Sequence, residues 1–348
     1  MAKWMGVVFL LLGAFVGAGF VSGREIYVFF ARFGIYGYIG LIISCCVMTL
    51  NICFEFKVIN QSQGVKIIKG GGRIEWLNKL IGVVYYSCCL IVFVAMLAGI
   101  YELFGLFHNA LLNVFTPAII IIICIILSAK SVKYLKIINI MLIILTFITI
   151  IAILNSCKIN QWPLLVYNYQ SINIDNVGLL LKAILYGLFY AGMNSLSVLP
   201  VIKLVVKDKV KHKTGLLIAV YFSLIAGLIM LFECVILMRR NLNIGIAMPI
   251  LTIAEGLGEF IYILYFILII MGLLTTLVSS AKVLIYVFKK DDGHISFYLI
   301  CLLYGGGLVL SLIGFGVITR VLYPVIGVIG IVLITVRNIN FALIKKRN

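Results

Sequence analysis

Three short stretches hold the residues most able to do chemistry. Gly13-Ala-Phe-Val-Gly17-Ala-Gly19-Phe-Val-Ser22-Gly23 and Tyr190-Ala-Gly192-Met-Asn194-Ser195-Leu-Ser197, with Pro200 beyond, place small and polar residues inside otherwise apolar sequence. Glycine costs about 1 kcal/mol against alanine in a helix interior, so each cluster favours an unwound segment. Unwinding frees amides at the start of the following half-helix, which suit a carboxylate, and carbonyls on the other side, which suit a small cation. In the first cluster those amides belong to Ala18, Gly19 and Phe20 and those carbonyls to Gly13 and Val16. In the second, Tyr190, Gly192, Asn194 and Ser195 are the candidate solute contacts, Asn194 and Ser195 through their side chains. Small residues also serve close helix packing, and both readings stay open here. The third stretch offers Gly272/Thr275/Thr276 and then Thr276/Ser279/Ser280, a hydroxyl pair at i+3 and i+4 beside the carbonyl of residue i. Such oxygens suit sodium; the alternative is that the hydroxyls bond back to their own helix.

Other reactive groups are few. Glu25, just past the first cluster, either lines a vestibule or pairs with Arg24 or Arg32. Glu102 and Glu233 fall at the ends of apolar stretches and read as solvated. His108, His212 and His294 are not spaced as metal ligands, and the nine cysteines contain no CxxC pair and read as core packing. Tyr85 and Tyr86 read as belt or core residues. With no paired carboxylates or nucleophile–base pair inside apolar sequence, an enzyme is not expected. No cofactor is expected other than a sodium ion.

The elements that must position these groups follow from composition. The 348 residues are 64% hydrophobic and 11% charged, with a mean hydropathy of +1.24. Soluble domains are about 45–50% apolar and about 25% charged. A soluble enzyme, a disulfide scaffold, a disordered chain and a soluble nucleic-acid binder are thereby excluded, the last despite a net charge of +17. A membrane-crossing helix needs about 20 apolar residues. Ten mainly apolar stretches without Asp, Glu, Lys or Arg predict ten spans: 4–23, 33–54, 80–101, 103–129, 137–157, 183–202, 214–232, 260–281, 293–319 and 321–336. The stretch 159–174 reads as a loop, and 241–254 as a re-entrant or surface segment. The first stretch resembles a signal peptide, but its length and the nine spans after it favour a helix. Alternating sidedness puts 21 of the 28 lysines and arginines on one face, which predicts a multi-pass plasma-membrane protein with both termini cytoplasmic. The basic charge needs no nucleic-acid partner; the lipid bilayer and a small solute are the expected partners.

Ten spans divide into two halves of five that enter the membrane in opposite senses, as an inverted repeat requires. The predicted architecture is an all-α membrane protein with helices 1 and 6 discontinuous. Residues 1–157 form the first repeat, 158–176 an extracellular loop, 177–338 the second repeat and 339–348 a cytoplasmic tail.

Gly17-Ala-Gly19-Phe-Val-Ser22-Gly23-Arg24-Glu25-Ile, then Phe29-Phe30 and Gly34, Gly37 and Gly40, resembles the opening signature of the YkvI-like bacterial membrane proteins. These are relatives of the amino acid–polyamine–organocation superfamily. Arg24 stands where that family has glutamine. The resemblance covers roughly residues 13–40, and elsewhere only length, span count and the two clusters match. It implies a LeuT-like fold and alternating access, with helices 1, 2, 6 and 7 moving against 3, 4, 8 and 9. By the same resemblance, Gly13, Val16, Gly272, Thr275 and Thr276 correspond to a sodium site. Ala18 and Gly19 correspond to the place where a solute carboxylate binds. The expected function is secondary active transport of a small amino-acid-like solute, coupled to sodium or protons. The alternative is a ligand-sensing permease-like receptor subunit on the same fold, without sustained transport.

Overall fold

Helices built from leucine, isoleucine, valine and phenylalanine on every side cannot hide all of that surface against each other. In the computed structural model of this chain, stripes of large apolar side chains face outward: Ile119, Ile122, Ile123 and Ile126 on one helix, Leu216, Val220, Leu224 and Leu228 on another. Apolar surface of that extent is stable only against lipid, and the chain is a multi-pass membrane protein. The structure describes residues 3–62, 72–105, 110–129, 133–156, 174–205, 212–238, 246–287 and 297–347. Among them every regular element is helical.

In chain order these are α1 (Lys3–Phe15), α2 (Ala18–Val21), α3 (Arg24–Phe29), a 3-10 turn (Ala31–Phe33), α4 (Tyr36–Ser62), α5 (Gly72–Phe104), α6 (Ala110–Ala129) and α7 (Lys133–Ser156). There follow α8 (Ile174–Val205), α9 (His212–Met238), α10 (Pro249–Glu255), α11 (Glu259–Val287), α12 (Phe297–Ser311), α13 (Phe315–Val317), a π-helical turn (Ile318–Leu322) and α14 (Tyr323–Arg347). Seven helices among the described residues are long and apolar enough to cross a membrane. Three further apolar helices, Trp4–Phe15, Phe115–Ser128 and Ile300–Ser311, are shorter.

Two packing groups organise the molecule. α4 lies along α8 and α9, and α14 along α8; α5, α6 and α7 gather on α11, with α12 on α5. α1 runs between α7, α8 and α9. Glycine sets the closeness of the first group. A Cβ on Gly187 would strike the Gly40 carbonyl, and one on Gly192 would strike the Gly327 carbonyl. Backbones therefore touch along both seams of α8, as small residues permit.

Several boundaries differ from the sequence reading. Helix 6 is not discontinuous: α8 runs unbroken through Tyr190–Ser197, because Gly192 is a packing glycine and Asn194 bonds within its own helix. α12 ends at Ser311, Gly314 turns at φ 89°, and the last long helical stretch begins at Phe315. The charge-free rule set that boundary at Arg320, which in fact lies within the π turn. The proposed tail from 339 is a continuation of α14, which extends to Arg347. The segment expected to be re-entrant or superficial is described from Ile246 onward, and it holds the short buried helix α10. Residues 239–245, most of the loop 158–176, Cys157, His108 and His294 lie outside the described residues.

Candidate functional site

The first helix comes apart where its glycines cluster. Val16 N–H still donates to Leu12 O at 2.8 Å, but Gly17 N–H turns to Phe15 O at 3.0 Å and leaves Gly13 O without its i+4 donor. Helical bonding resumes in α2, with Val21 N–H on Gly17 O at 2.9 Å. A second interruption follows at once. Gly23 is left-handed at φ 75°, and a Cβ there would strike Ile250 of α10; only glycine meets both demands. Ser22 Oγ donates to Gly19 O at 3.0 Å and accepts from Arg24 N–H at 3.3 Å, bridging the turn into α3. Ile250 N–H donates to Ser22 O at 3.2 Å, so α10 is pinned onto the same turn.

Around this double break lie buried polar groups and aromatic rings. Glu25 reaches back from α3 so that a Cβ on Gly19 would strike its Oε1. Glu233 of α9 has no exposed surface, and neither carboxyl oxygen has a hydrogen-bond partner among the described residues. It is close enough to Glu25 to interact with it electrostatically. Tyr265 of α11 donates to Val21 O at 2.5 Å. Tyr190 of α8 is fully buried, with its ring 5.1 Å from Phe29, 4.9 Å from Phe30 and 6.1 Å from Phe15. Phe20 closes on Phe15 at 5.0 Å.

Charged residues tie the elements together on either side of the aromatic cluster. Arg24 is 2% exposed. Its Nη1 donates to Ile246 O at 2.7 Å, its Nε to Thr319 Oγ1 at 3.4 Å and its Nη2 to Gly316 O at 3.4 Å. Glu102 Oε2 accepts from Phe315 N–H at 3.2 Å. The other tie is an ion pair between Arg337 of α14 and Glu55 of α4, at 2.6 Å.

Of the residues singled out from sequence, Gly19 meets Glu25 at the break, where the backbone of Ala18 opens α2, and Phe20 and Tyr190 both pack on Phe15. Gly192, Asn194 and Ser195 have other partners, and Phe222, which lines one crevice with Asn194 and Ser195, packs on Phe15 with ring centroids 5.6 Å apart. Gly192 abuts α14. Asn194 Nδ2 donates to Tyr190 O at 3.1 Å, and Ser195 Oγ accepts from Asn51 Nδ2 at 2.9 Å. Both line this narrow crevice with Met48, Ile52 and Phe222, and it has no room for a water molecule.

The oxygen donors expected for a cation divide likewise. A Cβ on Gly17 would lie 3.2 Å from Thr276 Oγ1, so α11 brings Thr276 against the break. Val16 is buried beside it, and Gly13 is packed against Asn139 of α7. Thr275 Oγ1 donates to Gly272 O at 3.2 Å, and Ser280 Oγ donates to Thr276 O at 2.8 Å and to Leu277 O at 3.0 Å. Ser279 is exposed. The Thr275 and Ser280 hydroxyl protons thus go to their own helix.

Three acidic residues depart from expectation. Glu25 is folded inward and 6% exposed, and Arg24 is engaged elsewhere. Glu102 is half-buried and caps the start of α13. Glu233 is inside the protein. The signal for Glu233 was its standing as the one acidic residue in the apolar span Lys213–Met238. Tyr265 and Tyr323, equally buried, carried no comparable mark.

No family model matches the chain, and no curated protein matches it. Among solved structures it is similar to MhsT in complex with L-phenylalanine, with a TM-score of 0.59 and 18% identity over 95% of this chain and 87% of that one. MhsT is a LeuT-fold transporter, and likeness over nearly the whole of both chains gives this protein a LeuT-type fold.

Proposed function

We propose that the protein is a secondary active transporter of a small amino-acid-like solute, working by alternating access. The observation that carries this reading is the interrupted first helix, which sets bare peptide groups beside buried carboxyls and aromatic rings at the centre of a LeuT-type fold. Backbone of this kind is tolerated at membrane depth only where protein buries it or a cavity takes it up. Tyr190, Phe20 and the amides opening α2 then form the solute site. MhsT was solved with L-phenylalanine bound, so aromatic and branched amino acids are the first solutes to test.

The three shorter apolar helices complete ten spans in two inverted halves, 1–157 and 177–338, with both termini cytoplasmic in the plasma membrane. The group of α4, α8 and α9 moves against the group of α5, α6 and α11, with α1 to α3 between them. The Arg24 cluster closes the outward side and the Glu55–Arg337 pair the inward side. If sodium is the coupling ion, Gly13 O, Val16 O, Gly272 O and the Thr275 and Thr276 hydroxyls would hold it.

The test is a thermal-shift screen of amino acids on detergent-purified protein, with and without sodium, followed by uptake into proteoliposomes. A stabilising amino acid that is also accumulated supports the reading; no accumulation under any ion gradient overturns it. Thr276→Val should abolish a sodium-dependent shift while leaving a solute-dependent one.

A further inference from the structure

Among the described residues Glu233 has no hydrogen-bond donor and no counter-ion, and none of its surface is exposed. It lies on α9, which packs against α1, α3, α4, α7, α10 and the turn Ala31–Phe33. From α3 it is faced by Glu25, and Tyr190 of α8 and Tyr265 of α11 lie within its electrostatic reach. Cys234 adjoins it on its own helix, α4 contributes Cys45, and α10 contributes Glu255, which is exposed. Among the described side chains α1 and α7 contribute no titratable group. The nearby cations are turned elsewhere. Arg24 reaches Ile246 O, Thr319 and Gly316 O, and the Arg32 guanidinium stacks over Phe33 and Tyr186 at 4.7 and 4.3 Å.

An ionised carboxylate is among the costliest groups to bury unpaired, whereas the neutral acid costs no more than another polar group. A second carboxyl close by, itself nearly buried, adds repulsion to any ionised state of the pair. A proton is also the one cation that needs no coordination space, which suits a centre filled by Phe15, Phe20, Phe29, Phe30 and Tyr190. We propose that Glu233, with Glu25 beside it, is a proton-binding site: its carboxyl is neutral in this closed arrangement and gives its proton to water when α2 and α3 move away. The step is a plain transfer, Glu233 carboxylic acid and water to carboxylate and hydronium, and it reverses on the opposite face. The use of this site to drive solute movement rests on the transporter reading; the site itself does not.

Infrared spectroscopy of the full-length protein in lipid at neutral pH reads the proton directly. The expected result is a carbonyl stretch of a protonated, non-hydrogen-bonded carboxyl, lost in Glu233→Gln. Absence of that band, or its persistence in Glu233→Gln, overturns the proposal. So does its removal by sodium at constant pH, which would make the site a metal site. Because glutamine matches the neutral acid in shape and charge, Glu233→Gln should fold and melt as the parent does; a chain that no longer folds also overturns the proposal. In proteoliposomes given labelled L-amino acids, uptake driven by a pH gradient should fall at least tenfold in Glu233→Gln while gradient-free exchange persists. Uptake unaffected by the substitution overturns the coupling role. The band without uptake by the parent under any gradient overturns the transporter reading and supports the proton site.

Discussion

Replacing Gly192 by alanine separates packing from solute contact at the second glycine cluster. A Cβ at this position would strike the Gly327 carbonyl and stand 2.7 Å from Ile331 Cγ1 and 2.8 Å from the Ile331 amide nitrogen, where ordinary contact begins at 3.4 Å. Two of the three neighbours are backbone and cannot swing aside, so α8 and α14 must part by about 0.5–1 Å. A gap of that size forfeits about a quarter to a half of the dispersion attraction of each affected atom pair, itself about 0.1–0.2 kcal/mol. Over roughly forty pairs along the seam the loss is about 1–4 kcal/mol, which overlaps the range of about 1–3 kcal/mol typical of overpacked interiors. Gly305→Ala is the matched control. It lies inside α12 with nothing within 4 Å of the added Cβ, and it should be neutral or stabilising by up to about 1 kcal/mol. Thermal melting in one detergent, followed by intrinsic fluorescence, reads both. The packing argument predicts that Gly192→Ala melts several degrees below the parent and Gly305→Ala does not. If Gly192→Ala melts with the parent but no longer responds to solute, Gly192 is a binding residue and the reasoning fails.

Gly19→Ala should displace the Glu25 carboxyl, whose Cδ and Cγ would lie 2.9 and 3.0 Å from the new methyl group. The chain should fold and its solute-induced melting shift should need at least tenfold more solute, as read by titration. Arg24→Lys keeps the charge but cannot reproduce a fork that serves Ile246 O, Gly316 O and Thr319 together; a loss of about 2–4 kcal/mol is expected in the melt, since each hydrogen bond to a charged group contributes about 1.5–3 kcal/mol, and a lysine variant as stable as the parent would refute the assignment. Glu55→Gln removes the anion facing Arg337, which is 28% exposed and keeps its bond to Asn338 Oδ1, and should cost about 1–3 kcal/mol. Glu55→Gln/Arg337→Gln should recover part of that loss, and strict additivity in the double-mutant cycle would show that the pair is not coupled.

The fold was readable because lipid imposes a coarse rule. Every apolar helix the structure describes overlaps a stretch found by counting residues between charges. The first break was readable for a local reason. Gly17, Gly19 and Gly23 fall within seven residues, Ser22 stands ready to bridge the turn, and Gly23 needs a positive φ. The second cluster imitates the first in composition but not in physics. It has a single glycine, and that glycine meets the backbone of α14; its asparagine returns to a carbonyl of its own helix. Which partner a small residue meets is a tertiary fact, and no spacing along the chain expresses it. The same applies to Thr276 and Ser279, three residues apart, of which one touches Gly17 and the other faces outward.

The acidic residues were misplaced for a deeper reason. A rule that ends a span at every charge assigns each intramembrane acid to a loop by construction, and so it placed Glu102 and Glu233 outside their helices and Arg320 between two. The rule assumes that a titratable side chain is always charged. On the proton-site proposal Glu233 is not, and a neutral carboxyl is a tolerable guest in an apolar helix while a carboxylate is not. The reading therefore fails where protonation is part of the function. An acid standing alone in a long apolar helix, with another five residues of apolar sequence after it as in Glu233-Cys-Val-Ile-Leu-Met238, is better read as the interior of that helix than as its end.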